Sequence, residues 1–272
     1  RDRRAGPAGA GGAGDSRVRR GAGALPQGRA AARAADRGPG ARRVVVKPER
    51  VVLVLSGGGM KAMAHVFEPT LAWQKGEPLQ LKGSWALDGG RIILELACGG
   101  GDYTVGLAQR FSDATIVGVD IKGSRMWFGA RKAVELGLPN AKFLRTKIER
   151  LADSFEEGEV DEIWITFPNP HPTEGNAKRR LTSPRFLKMY KKLLKPGGLV
   201  HLKTDDAGLY AYTLETLPAE GFTVEVALDD VYGAAERGEA VDAILTEVQT
   251  QYEKRYLKLG KAIKYVRAKL FT

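Results

Sequence analysis

A glycine run between an apolar segment and a helix-like segment is the first feature of this sequence that can do chemistry. Gly99, Gly100 and Gly101 follow the apolar residues 91–97. Because glycine has no Cβ, the backbone can turn tightly there and approach a ligand closely. Asp120 ends the next β-branched run, 19 residues after Gly101, where a carboxylate can accept the two hydroxyls of a ribose. This order of elements favours a nucleotide-like ligand.

A dinucleotide and S-adenosylmethionine both fit the glycine turn, and the residues at positions 104 and 95 distinguish between them. Dinucleotide enzymes carry a third glycine that brings a helix onto the pyrophosphate, whereas Thr104 occupies that position here. Glu95 lies four residues before Gly99, where a carboxylate would face the positively charged methionyl end of S-adenosylmethionine. We therefore predict that Glu95, Gly99, Gly101 and Asp120 bind S-adenosylmethionine and that the chain is a methyltransferase.

An ordered series of short motifs follows the predicted cofactor segment. It consists of Phe167-Pro168-Asn169-Pro170, Lys178-Arg179-Arg180-Leu181, Pro196-Gly197-Gly198, Thr204-Asp205 and Thr250-Gln251-Tyr252-Glu253. No single motif is specific, but their order is. The series resembles the single-chain bacterial tRNA (guanine-N7)-methyltransferases, with their F-P-D-P, K-R-R-L, P-G-G, T-D and T-x-[FY]-E elements. The resemblance is clear from Leu81 to Leu270.

The resemblance implies roles for individual residues and a substrate. Asp205 would contact the target guanine, and Thr250, Tyr252 and Glu253 would close the substrate pocket. Lys178, Arg179 and Arg180 would meet tRNA phosphates. The implied reaction transfers a methyl group to N7 of a guanine in the tRNA variable loop.

Three positions depart from the family pattern. Asn169 replaces the aspartate of F-P-D-P, and we assign Asn169 to catalysis and to cofactor binding. Thr173 replaces a lysine on the substrate side. Lys147 stands at the position where the family has an acidic residue that contacts adenine, although Glu149 is close by and can substitute. Each departure bears on activity rather than on fold.

Asn169 matters because of the chemistry of the acceptor. Guanine N7 has a free lone pair and no proton, so transfer needs in-line geometry more than a general base. Carboxylates near the base offset its developing positive charge, and Asn169 can orient the base but supplies no charge. We predict a slower enzyme. The alternatives are a tRNA-binding member that has lost the chemistry, and a methyltransferase for another RNA or a small molecule.

The periodicity of the chain supplies the elements that must position these residues. Apolar runs predict strands at residues 91–97, 114–120, 141–145, 160–166, 199–203 and 223–228. Amphipathic segments predict helices at 103–110, 124–136, 184–194 and 207–217, with Ser124 and Ser183 as N-caps and residues 196–198 as the stop of the third. The alternation predicts an α/β fold with a mostly parallel, Rossmann-like sheet, and the resemblance implies the seven-stranded sheet of class I methyltransferases with helices on both faces.

Composition divides the chain into three parts. Residues 1–50 hold 13 basic and 4 acidic residues, and residues 1–42 hold almost no large apolar ones. This composition predicts a disordered leader, although an RNA-binding arm is the alternative. Residues 51–80 are an uncertain extension. Their first half resembles the oxyanion loop of patatin-like lipases, but the G-x-S-x-G motif of those enzymes is absent from the sequence. Residues 81–272 are the predicted methyltransferase domain.

The remaining features concern partners and location. One cysteine, Cys98, allows no disulfide within the chain and favours a reducing cytoplasm. No apolar run is long enough to span a membrane. We therefore expect a cytoplasmic monomer or homodimer that binds tRNA and has no metal site.

Overall fold

The computed structural model describes residues 53–55, 81–87 and 89–271. The predicted leader and most of the predicted extension lie outside the described residues. Eight strands form one sheet in the order β1-β4-β3-β2-β5-β6-β8-β7. Their bounds are β1 Leu53–Leu55, β2 Arg91–Leu96, β3 Ala114–Asp120, β4 Ala141–Arg145, β5 Val160–Thr166, β6 Leu194–Thr204, β7 Phe222–Leu228 and β8 Lys264–Leu270.

The sheet is parallel except for β8, which runs antiparallel to both of its neighbours, β6 and β7. The seven strands from β2 onward form the mostly parallel, seven-stranded sheet that was predicted. The short β1 adds an eighth strand by pairing in parallel with β4 at the edge.

Within the described part of the chain, seven α-helices accompany the strands. Their bounds are α1 Asp102–Arg110, α2 Gly123–Glu135, α3 Pro184–Leu193, α4 Ala207–Ala219, α5 Val231–Glu236, α6 Ile244–Glu247 and α7 Gln251–Lys258. Two 3-10 helices span Ile148–Asp153 and Glu174–Arg179.

The core lies in two layers, one on each face of the sheet. In β2, Ile92, Leu94 and Leu96 point to the layer that holds the buried side chains of α3 and α4. Ile93 points to the opposite layer, which holds those of α1, α2, α5 and α6. Such near-continuous apolar runs are typical of parallel strands buried on both faces. The prediction of helices on both faces is confirmed.

One predicted N-cap is confirmed and two other details are corrected. Ser183 is the N-cap residue of α3, as predicted, although its hydroxyl donates to the Lys178 carbonyl and makes no capping hydrogen bond. Helix α2 begins at Gly123 after Lys122, so Ser124 is not its N-cap. Residues 196–198 do not end α3, which stops at Leu193. They lie within β6, where the pairing with β5 is irregular and Gly197 has a φ of 76°.

Candidate active site

The glycine loop joins the carboxyl end of β2 to α1, and Asp120 at the end of β3 holds it in place. The Gly99 N–H donates to Asp120 Oδ2 at 3.0 Å, and the Lys122 N–H donates to Asp120 Oδ1 at 2.8 Å. Two backbone donors therefore fix the orientation of this carboxylate. Sequence analysis predicted that the two segments bind one ligand, and the structure brings them into contact.

The three glycines of the loop have different surroundings. A Cβ at Gly100 would meet no atom within 4 Å, and one at Gly99 would meet only the Ala97 carbonyl oxygen at 4.0 Å. At Gly101, which has a φ of 74°, a Cβ would lie 2.7 Å from the Phe143 ring. Gly99 and Gly100 thus leave open space for a ligand, whereas Gly101 is required by packing against β4.

Glu95 lies beneath the loop rather than on its surface. The side chain is 1% exposed, and it accepts hydrogen bonds from the Thr104 N–H, the Thr104 hydroxyl and the Thr166 hydroxyl. Burial raises the pKa of Glu95 from 4.5 to about 7, against the opposing effect of these hydrogen bonds. The carboxyl group ties β2 to α1 and β5, and its protonation changes near neutral pH.

A cleft of about 450 Å³ opens at the carboxyl ends of the parallel strands, where ligands bind in open α/β sheets. Ala97 and Asp120 line one side, and Asn169, Lys178 and Arg179 line another. The cleft therefore brings together residues predicted for the cofactor and residues predicted for the substrate, although they are far apart in the sequence.

Strained backbone is concentrated around this cleft. Among the described residues, three that are not glycine have a positive φ, namely Ala97 (58°), Phe167 (47°) and His171 (45°). Ala97 and His171 line the cleft, and Phe167 precedes the lining residue Pro168. Such conformations cost free energy, of order 1–3 kcal/mol each, and cluster at functional sites. Asn169 lies within this strained loop, where its Oδ1 accepts the His171 N–H at 3.1 Å.

The predicted basic run divides into two parts. Lys178 and Arg179 are exposed at the rim of the cleft. Arg180 instead donates to the carbonyls of Pro170 and His171, and its guanidinium lies 4.3 Å from the Tyr212 ring centroid. Arg180 thus holds the strained loop, so that within this run Lys178 and Arg179 are the cations available to a phosphate.

Asp205, at the end of β6, is paired with a residue that sequence analysis missed. Lys261 Nζ lies 2.6 Å from Asp205 Oδ2 and 4.5 Å from the Tyr256 ring centroid. This hydrogen bond raises the pKa of Lys261. The carboxylate is therefore held in place, and a base that used it would share or replace the contact with Lys261.

Glu253 forms a buried ion pair with Lys203 of β6. Both side chains are 0% exposed, and Lys203 Nζ lies 2.5 Å from Glu253 Oε1. Burial raises the pKa of Glu253 and lowers that of Lys203, while the contact between them opposes both effects. Thr250 caps α7 by accepting the Glu253 N–H at 3.1 Å. In this conformation Glu253 anchors α7 to the sheet.

The remaining predicted residues lie at or beyond the edge of the cleft. Tyr252 is 49% exposed on α7. Thr173 is exposed and accepts a hydrogen bond from the Asn176 side chain. Lys147 is exposed and outside the cleft lining, whereas Glu149 lies within it. The described residues contain no group of His, Cys, Asp or Glu that could hold a metal ion.

Comparison with known proteins gives this geometry a family. Residues 90–266 match a family model described as "Putative methyltransferase". A tRNA (guanine-N7)-methyltransferase of Porphyromonas gingivalis is 43% identical over 213 residues, which cover 76% of this chain and 85% of that protein. Its counterpart in Bacteroides thetaiotaomicron is 41% identical over 215 residues, which cover 78% and 82%. The chain belongs to the tRNA (guanine-N7)-methyltransferase family.

Membership in the tRNA (guanine-N7)-methyltransferase family confirms the resemblance found in the sequence motifs. A solved structure of the 16S rRNA methyltransferase KamB matches with a TM-score of 0.50 at 14% identity, and the match covers 67% of this chain and 88% of that one. At this identity the likeness concerns the fold alone, and it agrees with a class I methyltransferase domain. Among the described helices, none is long and apolar enough to cross a membrane.

The residues at the cleft fit the family's cofactor, S-adenosylmethionine. Open space at Gly99 and Gly100 admits a ligand against the backbone, and the oriented carboxylate of Asp120 offers acceptors to a ribose. Ile121 and Ile148 add apolar lining next to Asp120, which suits an adenine ring. These features are what the glycine turn predicted, with Glu149 as a further carboxylate on the same lining.

Proposed function

We propose that this chain transfers a methyl group from S-adenosylmethionine to N7 of a guanine in tRNA. The observation that carries the proposal is the 43% identity to a curated tRNA (guanine-N7)-methyltransferase over 85% of its length. The cleft supports it, because acidic residues suited to a ribose and basic residues suited to phosphate lie on one lining.

On the cofactor side, Asp120 would bind the ribose hydroxyls, since backbone donors already orient its carboxylate. Gly99 and Gly100 would admit the methionyl end, and Glu95 would fix the loop through Thr104 and Thr166. When bound, S-adenosylmethionine supplies a methyl group on a positively charged sulfur. Glu149 would take the role expected at Lys147, because Glu149 is the one of the two that lines the cleft.

On the substrate side, the chain's task is to hold the base in line, because N7 has no proton to remove. Asp205 would accept the N1–H and the exocyclic amine of guanine, sharing its carboxylate with Lys261. Asn169 would orient the base from the strained loop. Its amide adds no charge to offset the positive charge that develops on the base, so we infer a slower transfer than an aspartate would give.

Lys178 and Arg179 would contact phosphates beside the target nucleotide. Thr250 and Glu253 would act by fixing α7, whose exposed Tyr252 faces solvent. We place the target in the variable loop and the protein in the cytoplasm with its tRNA, as a monomer or homodimer. Size-exclusion chromatography with light scattering would decide between the last two.

The proposal is tested with a pair of tRNA transcripts that differ in one atom. One transcript carries guanine at the target, and the other carries 7-deazaguanine, which has carbon in place of N7. With labelled S-adenosylmethionine, the first transcript should acquire label and the second should not. Equal labelling of both would exclude N7 as the acceptor. Cofactor binding without label in any RNA would favour the tRNA-binding member that has lost its chemistry.

A further inference from the structure

Helix α2 carries an exposed phenylalanine and a half-buried tryptophan that the proposed mechanism does not use. Phe128 is 64% exposed, and the half-buried Trp127 packs edge-on against it, with ring centroids 5.2 Å apart at 81°. Ile121, the last residue before the turn into α2, lines the cleft and is 54% exposed. The segment that leads into α2 therefore lines the cleft.

Cations surround Phe128 on the helix surface. Residues three and four positions apart are neighbours on an α-helix, and Arg125, Arg131 and Lys132 occupy three such positions around Phe128. All three are exposed. The Arg131 guanidinium lies 5.5 Å from the Trp127 ring centroid and pairs with Glu135 at 2.6 Å. Within the described part of the chain, no carboxylate lies at ion-pair distance from Arg125 or Lys132.

An exposed aromatic side chain surrounded by cations suits the binding of single-stranded nucleic acid. Bases stack on aromatic side chains without regard to sequence, while neighbouring Lys and Arg side chains contact the phosphates. A second copy of this chain is a poorer fit, because a two-fold interface places the same patch on both sides. Arg125 and Lys132 would then face the like charges of the partner.

We propose that Trp127, Phe128, Arg125, Arg131 and Lys132 form an α2 platform that binds an unpaired nucleotide of the tRNA. Phe128 stacks on the base, and Arg125 and Lys132 contact the adjacent phosphates. The inference rests on the proposed tRNA substrate, and it adds a second contact region to the one at Lys178 and Arg179. A base held at the platform would help to keep the target nucleotide over the cleft.

The test measures tRNA binding by the full chain in the absence of methyl transfer. Phe128→Leu keeps an apolar, helix-favouring side chain but removes the ring, whereas Phe128→Tyr keeps the ring. Since stacking contributes about 1–3 kcal/mol per base, Phe128→Leu should raise the Kd for tRNA roughly 5- to 150-fold. Phe128→Tyr should stay close to wild type. Val134→Ala, at a residue 49% exposed on the same helix, is the matched control and should bind normally.

Salt dependence separates the two kinds of contact on the platform. Arg125→Gln should reduce the slope of log Kd against log salt by about 1, because one phosphate contact is lost. Phe128→Leu should weaken binding with the slope unchanged.

Two outcomes overturn the inference. One is wild-type affinity in Phe128→Leu, and the other is a change in oligomeric state in that variant without a change in tRNA binding. If the wild-type protein methylates tRNA and Phe128→Leu binds tRNA with wild-type affinity, this inference is wrong and the proposed function stands. If Phe128→Leu loses tRNA binding but the wild-type protein never methylates tRNA, the proposed function is wrong and this inference stands.

Discussion

Replacing Glu95 with glutamine should change how the stability of the protein depends on pH. The pKa of this carboxyl group is 4.5 when exposed and about 7 in the fold, where burial disfavours the charged form. Between these values the folded state holds a proton that the unfolded state has lost, so stability falls as pH rises from about 4.5 to about 7 and then levels off. The difference, 7 − 4.5, corresponds to about 3.5 kcal/mol in all at about 1.4 kcal/mol per pH unit.

The Glu95→Gln variant keeps an oxygen that can accept the Thr104 N–H but has no group to titrate. Urea unfolding of both proteins at pH 5, 6, 7 and 8 isolates the effect, because other titrating groups are common to both. Wild type should lose stability relative to the variant by about 2.5 kcal/mol between pH 5 and pH 8, because part of the full effect falls below pH 5. Glu135→Gln, at an exposed position on α2, should follow wild type. Parallel pH curves for wild type and Glu95→Gln would refute the argument from burial.

Three further substitutions test other parts of the site. Asn169→Asp should raise kcat on tRNA by roughly tenfold or more, because a carboxylate at the cleft offsets charge that develops on the base, and an unchanged kcat would remove this role for position 169. Asp120→Asn should raise the Kd for S-adenosylmethionine by about 10- to 100-fold in calorimetric titration, since a hydrogen bond to a charged group contributes about 1.5–3 kcal/mol, and a Kd within twofold of wild type would be incompatible with the ribose contact. Glu253→Gln leaves Lys203 as a buried, uncompensated cation, so chemical denaturation should show that the free energy of unfolding falls by about 3–5 kcal/mol. Glu135→Gln, at the exposed pair with Arg131, should lower it by under about 0.5 kcal/mol. Equal losses in the two variants would contradict the buried pair.

Residue patterns within short stretches of sequence predicted those strands whose ends are marked by local residue types. The ends of β4 and β5 match the predicted strands because apolar runs stop at turn residues on each side. Strand β8 was missed, although residues 266–270 alternate apolar and basic side chains, a pattern typical of a strand. Its central position between β6 and β7 comes from tertiary pairing, which no local window of sequence contains.

The functional site likewise contains features that could be predicted from local sequence and features that could not. Glycines and Asp120 were predictable because backbone geometry and strand order constrain them within one βαβ unit. The pairing of Asp205 with Lys261 and of Lys203 with Glu253 was not, because each joins segments far apart in the chain. A lysine within an apolar strand, such as Lys203, was the one signal available, since a fully buried lysine needs a partner.

The nucleosides of tRNA treated with this protein provide the most direct test of the central claim. Unmodified tRNA is incubated with the full chain and S-adenosylmethionine, digested to nucleosides and analysed by mass spectrometry against standards. We expect 7-methylguanosine, formed only when protein and cofactor are both present and strongly reduced in the Asp205→Ala variant. A methyl group on another nucleoside, or no methylated nucleoside at all, would contradict the central claim.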